Sequence, residues 1–419
     1  MGESRSESGS RWWKWVVVSA VGVMAFAGVG AWLLVDPLSA SEPKDRASAI
    51  RTVFTIGFGF GGLATLGLFT RRQWHQERVA DEVRYDAEQR RITEQYMQAV
   101  EQLGHEKAPV RLGGLYALDR LGRNHPEQRQ VIAEVWCAYL RRRYMPPPEI
   151  IGEASREEGE EVAERDEDQL KADAEAADEY EVRMTAQRLL AGHLKDPRPE
   201  EERDDTRPDE SEEYWHLEHL DLTGATLIDA NFTDCRLPTL NASRVHFCRD
   251  ASFYGAYFEG DAWFGGARFE SGAWFGGVRF KDVAGFGEAR FRGDAEFGEA
   301  WFGDNAWFDE AWFERDADFG EAWFRSVAWF DGARFVGVAG FNGARFRDVG
   351  GFGGVRFGDR ARFDHVGGIS AEGVLGSVPQ FVMTGVVVER IFENNAHVWP
   401  PGWETVPDGN HWQLVQVEE

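Results

Sequence analysis

Ala262-Trp263-Phe264-Gly265-Gly266-Ala267-Arg268-Phe269-Glu270-Ser271-Gly272-Ala273-Trp274-Phe275 decides the fold. A phenylalanine arrives after five residues, then after six, and a small residue stands two places before each. The series runs from Phe253, Phe258 and Phe264 through Phe280 to Phe346, Phe352, Phe357 and Phe363. Ala262, Ala267, Ala273, Val278, Ala284, Ala289, Gly350 and Ala361 hold the small positions. Neither a 3.6-residue helix nor an alternating strand keeps that period. Short extended segments joined by tight corners do, each turning one large and one small side chain inward. Stacked coils then bury the rings against one another near offset-stacking distance. Each ring contributes roughly 1.5–3 kcal/mol, against the ordering entropy of its short segment. About 23 of the 30 phenylalanines fall on this lattice, so core building accounts for them without a ligand site.

Upstream the lattice runs in fives through Leu222, Leu227, Phe232, Leu237, Ala242 and Phe247. There Asp221-Leu222-Thr223-Gly224-Ala225 and Ala230-Asn231-Phe232 resemble the A(D/N)LXX consensus of the pentapeptide-repeat family. The resemblance covers about a third of the chain and implies a mainly β fold, a right-handed quadrilateral β-helix with four repeats per coil. The alternating extra residue looks like a Phe-rich five/six variant of that family. A four-sided coil takes two fives and two sixes per turn, which keeps its extra residues at opposite corners. A three-sided coil would move them to a new corner each turn and pack badly. Roughly 27 steps then give six to seven coils, on the order of 30 Å long.

Taking every fourth step sorts the outward residues by face. One face reads Arg268, Arg290, Trp312, Arg334 and Arg356, the preceding one Trp263, Gly285, Trp307, Trp329 and Gly351. The face before that reads Tyr257, Arg279, Trp301, Trp323 and Arg345. Trp301, Trp307, Trp312, Trp323 and Trp329, flanked by Arg268, Arg290, Arg334 and Arg356, are the candidate interaction surface. The plainer alternative is self-stacking ladders left by repeat drift.

A chain of 419 residues should hold two or three structural units. Its net charge of −26 argues against nucleic acid as a partner, because phosphate contacts need a basic surface. Cys137, Cys235 and Cys248 show neither metal-ligand spacing nor a disulfide framework.

Residues 1–11 are polar and expected to be disordered. Trp12–Val35 is apolar but for Lys14 and Ser19, sufficient for about 36 Å of helix, and Thr52–Thr70 suffices for about 28 Å. The spans 12–35 and 52–70 predict a transmembrane hairpin over 12–72, with Trp12, Trp13, Trp15 and Trp32 as an interfacial belt. A cleaved signal peptide ending near Ser39-Ala40 is the rival reading; its apolar core would be longer than usual, and a second span follows. Arg5, Arg11 and Lys14 before the first span and Arg71, Arg72, Arg78 and Arg84 after the second favour both ends inside, against Lys44, Arg46 and Arg51 between them. Gly57-x-x-x-Gly61 reads as close helix packing rather than a phosphate loop, since no strand precedes it.

A helical region is expected over 73–145, with helices at Val110–Arg123 and Glu127–Arg143 broken at Asn124-His125-Pro126. Ala108–Leu118 looks like one unit of a HEAT-type hairpin, and the combination with two spans and Phe-rich repeats resembles a group of bacterial pentapeptide-repeat membrane proteins. Residues 146–213 read as an acidic, solvated linker with one short helix at Glu181–Leu194, able to dock on the hairpin. The coil should occupy 214–368, with Tyr214–Leu220 over its first turn, and 369–419 should cap its far end, using a strand at Phe381–Glu389 and a turn at Trp399–Trp403.

No catalytic set, phosphate loop or Cys cluster is evident, and no cofactor is implied. His216 and His219 could share a helical face but lack a third ligand. Asp309, Glu310, Asp316 and Asp318 read as a solvated outward face. Asn231-Phe232-Thr233 and Asn241-Ala242-Ser243 match a glycosylation pattern that a cytoplasmic location would void. The expected function is therefore non-enzymatic. The chain would be a multi-pass protein of the cell membrane whose cytoplasmic repeat domain is a scaffold for an unidentified protein partner, with self-association compatible. The alternative implied by the family is a DNA-mimicking topoisomerase modulator; the repeat region nets only about −6, and its arginine face opposes that role.

Overall fold

The computed structural model describes residues 83–147, 167–199 and 206–369, and the tail segments 375–377, 381–383, 385–389, 398–400, 402–409 and 411–417. Positions 22, 32, 73, 81, 202 and 203 are described singly. Apart from positions 22 and 32, both apolar runs lie outside these residues, as do the tail at 1–11 and residues 148–166. Among the described residues no helix is long and apolar enough to cross a membrane. The chain divides into two units, 1–91 and 92–419. Residues 83–91 of the first are helical; the second holds the remaining helices and the coil.

The coil is a β-solenoid of about seven turns, its strands mostly two residues long and stacked in parallel on four faces. The first face contains Ala262–Trp263, the second Arg268–Phe269, the third Ala273–Trp274 and the fourth Arg279–Phe280. Ala262 pairs with Ala284, Arg268 with Arg290, Ala273 with Ala295 and Arg279 with Trp301, each partner two fives and two sixes further on. Upstream, His219 pairs with Thr239, a turn made of four fives. A bulge between Ile228 and Ala230 begins the change of period.

Two kinds of corner alternate. In Phe264-Gly265-Gly266-Ala267 the Ala267 N–H donates to the Phe264 carbonyl at 3.0 Å, and Gly266 has φ +64°, a type II turn. The same left-handed site recurs at Gly277, Gly332, Gly343 and Gly354, but Glu288, Glu299, Glu310 and Glu321 occupy it in the middle coils. A non-glycine residue there costs about 1–2 kcal/mol. The other corner takes the extra residue and lies hard against the coil before it. A Cβ on Gly293 would stand 2.3 Å from the Ser271 carbonyl carbon. The two extra residues per turn thus fall at opposite corners, as the alternation of fives and sixes requires.

Inside, each phenylalanine stacks on its equivalent one turn away. Phe264 and Phe286 lie 4.8 Å apart with planes 3° off parallel, and Phe286 and Phe308 lie 4.9 Å apart at 2°. Across the coil, rings from the first and third faces meet edge to face, as at Phe286 and Phe297, 5.3 Å and 86°. Ala262, Ala284 and Ala306 are fully buried because those rings leave room only for a methyl.

Helices cover the first turn. Helix α1 spans Ala108–Asn124, a short 3₁₀ turn follows at Pro126–Gln128, α2 spans Arg129–Leu140 and α3 spans Glu167–Leu194. Helix α3 starts well before the expected Glu181, and the linker's downstream part is built into the fold. Val182, Ala186, Leu190 and Leu194 are buried, Arg203 pairs with Asp234 at 2.6 Å, and Arg207 pairs with Glu259. The acidic composition misleads here because paired charges and one apolar stripe hold this part on the coil.

Two glutamines close the strand edges of the first turn. Gln187 donates to the Ile228 carbonyl at 2.9 Å and accepts its N–H at 3.0 Å. Gln130 likewise donates to the His219 carbonyl at 3.0 Å and accepts the Glu218 N–H at 2.8 Å. Each side-chain amide imitates the missing strand. Trp215 packs between the helices and the coil, stacked on His193 at 3.7 Å. Both His193 nitrogens face oxygens, Nδ1 at 2.8 Å from the Glu213 carbonyl and Nε2 at 2.5 Å from Asp119. Burial pushes Asp119 up, but His193 and Arg123 outweigh it and hold the carboxyl below its ordinary range.

At the far end Phe381–Val382 and Val387–Val388 continue the first and second faces as two separate strands, where the sequence suggested one. Trp399 packs on Phe357 and Phe363. A hairpin of Trp403–Asp408 and His411–Gln416 then adds to Val387–Val388 in antiparallel sense, ending parallel growth. Its outer strand carries Glu404, Pro407 and Asp408, residues that resist further pairing.

Two outcomes test this account. Gly293→Ala meets backbone and should lower the denaturation midpoint more than Gly277→Ala, which meets nothing within 4 Å and adds only left-handed strain of about 1 kcal/mol. Gln187→Leu strands the buried Ile228 N–H and carbonyl, and denaturant titration should show a loss of about 1–3 kcal/mol.

Candidate functional site

The coil register decides which outward residues meet. Trp301 pairs with Trp323 on the fourth face and Trp307 with Trp329 on the first. These faces adjoin across the corner that carries Asp304 and Arg325, so four of the five candidate tryptophans share one surface. Trp312 does not join them. It lies on the second face, beyond the exposed corner residues Asp309 and Glu310.

The rings lie along the sheet because glycines leave space. Trp263 Cε3 is 2.6 Å from where a Gly285 Cβ would stand, and Trp329 Cε3 is 2.1 Å from that point at Gly351. Trp263 reaches Trp307, with centroids 5.4 Å apart. Trp301, Trp307, Trp312 and Trp323 are half-buried and Trp329 is 36% exposed. The indole N–H groups of Trp312 and Trp323 are buried with no acceptor among the described residues.

Arg268, Arg334 and Arg356 are exposed on the second face. Arg290 is instead committed, its guanidinium 4.0 Å over Trp312 and its Nε donating to Glu314 at 2.5 Å. Arg325, which sequence reasoning missed, stands 5.7 Å from Trp301 and 5.9 Å from Trp323. It occupies a corner just after Phe324, whereas the face reading followed only the residue before each phenylalanine.

A groove of about 960 Å³ between the second and third faces includes Arg249, Glu270, Trp274, Arg292 and Asp294; Arg292 pairs with Glu270 at 2.5 Å. Glu270 also accepts from His246 at 2.9 Å, and the Cys248 sulfur lies 3.6 Å from His246 Nδ1. The Cys248 sulfur and the Glu270 carboxylate push His246 up to about 9. On the third face burial, Asp318 and Asp294 raise Glu296. Burial pushes the Cys137 and Cys235 thiols up to about 12, which suits inert core residues.

His216 donates from Nε2 to the Pro208 carbonyl, 2.8 Å away, while His219 lies 3.4 Å from Glu134, so the two serve different contacts. Among the described residues no group of three or more His, Cys, Asp or Glu could hold a metal ion. Asn231 accepts the Thr233 N–H and Asn241 the Ser243 N–H, both at 3.1 Å, so each side chain shapes a corner.

The four-faced coil, its five/six spacing and its buried Phe ladder are those of a pentapeptide-repeat solenoid. The profile of the family described as Pentapeptide repeats (9 copies) matches residues 243–289 and 275–323, so these residues are repeats of that type. No curated protein and no solved structure matches the chain.

A folded-state value raised at His246 means that its contact stabilises the coil below the ordinary histidine range and loses that contribution as pH rises through about 9. An NMR titration of the His246 ring should find its midpoint well above the ordinary value, and Glu270→Gln should move it down.

Proposed function

We propose that the chain is a non-enzymatic, membrane-anchored scaffold whose repeat surface docks a protein partner in the cytoplasm. The observation carrying this reading is the pair of adjoining faces bearing Trp301, Trp307, Trp323 and Trp329, half-buried or exposed on a rigid coil. Aromatic side chains held flat with one face open present large contact area at little further entropic cost, the usual chemistry of interface anchors. The exposed Arg268, Arg334 and Arg356 extend that surface around the next face. Anchoring rests on the length and composition of residues 12–35 and 52–70, each sufficient for one crossing.

A photoactivatable amino acid at Trp329 of the full chain, in its native cell, should yield discrete protein adducts that the same probe at Asp318 does not. Removing residues 12–70 should release the chain from the membrane pellet. Indistinguishable adducts from both positions would end the docking reading, and continued sedimentation of the shortened chain would end the anchoring one.

A further inference from the structure

We infer that the first face binds an arginine-rich extended segment, through the paired sites Trp307-Phe308-Asp309 and Trp329-Phe330-Asp331. This rests on the docking reading above and names the chemistry of the occupant. The pattern is an outward aromatic residue, a buried phenylalanine and an acid, and the coil contains it at four places relevant here. At two of them the protein supplies the cation itself. Arg236, in register with Tyr257 one turn on, lies 4.2 Å over that ring and donates to Glu259 at 3.1 Å. Arg290, in register with Trp312, lies 4.0 Å over it and donates to Glu314 at 2.5 Å. Each guanidinium is held by an aromatic face and by the carboxylate two residues further along, cation–π attraction and charge pairing acting on one head group.

The first face carries the same aromatic–Phe–acid order without the arginines, its acid standing at the type II corner rather than at the corner that takes the extra residue. The residue in register before Trp307 is Gly285, and the one before Trp329 is Trp307. Trp329 Cε3 and Asp331 Oδ1 both converge on Gly351, 2.1 and 3.3 Å from the place of its missing Cβ, so ring and carboxylate stand side by side. Asp331 accepts the Gly353 N–H at 2.6 Å, which fixes its direction. Neither Asp309 nor Asp331 has a cationic partner among the described residues. Glu288 and Glu310 stand exposed along the same margin, and from Asp282 to Asp331 the coils carry thirteen carboxylates against four arginines. A guanidinium fits such a site better than an ammonium, because it can stack and pair at once. The neighbouring strands place the two sites about 4.8 Å apart, within reach of one extended chain.

The test is fluorescence anisotropy of a fluorescein-labelled arginine–alanine repeat peptide titrated with the detergent-solubilised full chain at low salt. Asp309→Asn with Asp331→Asn should weaken capture about tenfold, as should Trp329→Ala, whereas Asp316→Asn with Asp318→Asn on the opposite side should change it less than about twofold. Trp307→Arg supplies a cation to Trp329 and Asp331 from the register position that Arg290 holds toward Trp312. It should block the peptide while leaving the thermal midpoint in place. Equal loss from both carboxylate pairs would show diffuse attraction and overturn the proposal. So would capture of a neutral oligosaccharide or of anionic lipid vesicles in place of the peptide. Cellular adducts from Trp329 without peptide capture would keep the docking surface and reject this occupant. Peptide capture without adducts would support the cation sites and count against docking in the cell.

Discussion

Ring-on-ring stacking at the spacing of neighbouring strands is the constraint on which the coil depends. Parallel strands sit about 4.8 Å apart, and stacked phenylalanines want nearly the same separation. Phe264, Phe286, Phe308 and Phe330 keep it at 4.8 to 4.9 Å with planes almost parallel. Backbone hydrogen bonding and aromatic packing therefore ask for one rise per turn. The first turn, with Leu222 and Leu227, is built of fives alone, and the sixes begin after Phe247, where phenylalanine takes over every inward position of the lattice.

That economy inside leaves the outside free to vary. Each side chain before a phenylalanine points outward in register with its neighbours one turn away, so any property placed there becomes a column. The same rule produces the arginines of the second face, the tryptophans of the first and fourth, and the carboxylates of the third. Glu288, Glu299, Glu310 and Glu321 add charge even where glycine would be easier, at left-handed corners of consecutive turns. The middle turns thus combine negative charge with aromatic faces, while six arginines and two carboxylates lie between Arg334 and Arg362.

Most of the coil was legible because its period is enforced residue by residue. A ring displaced by one position would face water, so the spacing of Phe253 to Phe363 encodes the number of faces, the register and the opposite placement of the two corner types. The ends were less legible. Gln187 and Gln130 act through single amides aimed at particular backbone groups, a role with no periodic mark. The length of α3 was hidden by acidic composition, because charge content does not tell whether carboxylates meet water or arginines. The candidate surface was legible as columns but not as contacts. Register united four tryptophans and separated Trp312, and the position of Arg325 followed from corner geometry that the alternation of large and small residues does not describe.

The alternation of corner types also governs how such a chain can change length. Losing or duplicating two fives and two sixes together removes or adds one whole turn and leaves every downstream column where it was. A change of a single five with a single six would also keep the buried rings and both corner types in phase, yet it would rotate everything beyond it by two faces. The interior would register nothing, while columns before and after the change would point to opposite sides. Evolution of this fold thus has a silent step and a half-turn step, and only the second re-aims a surface.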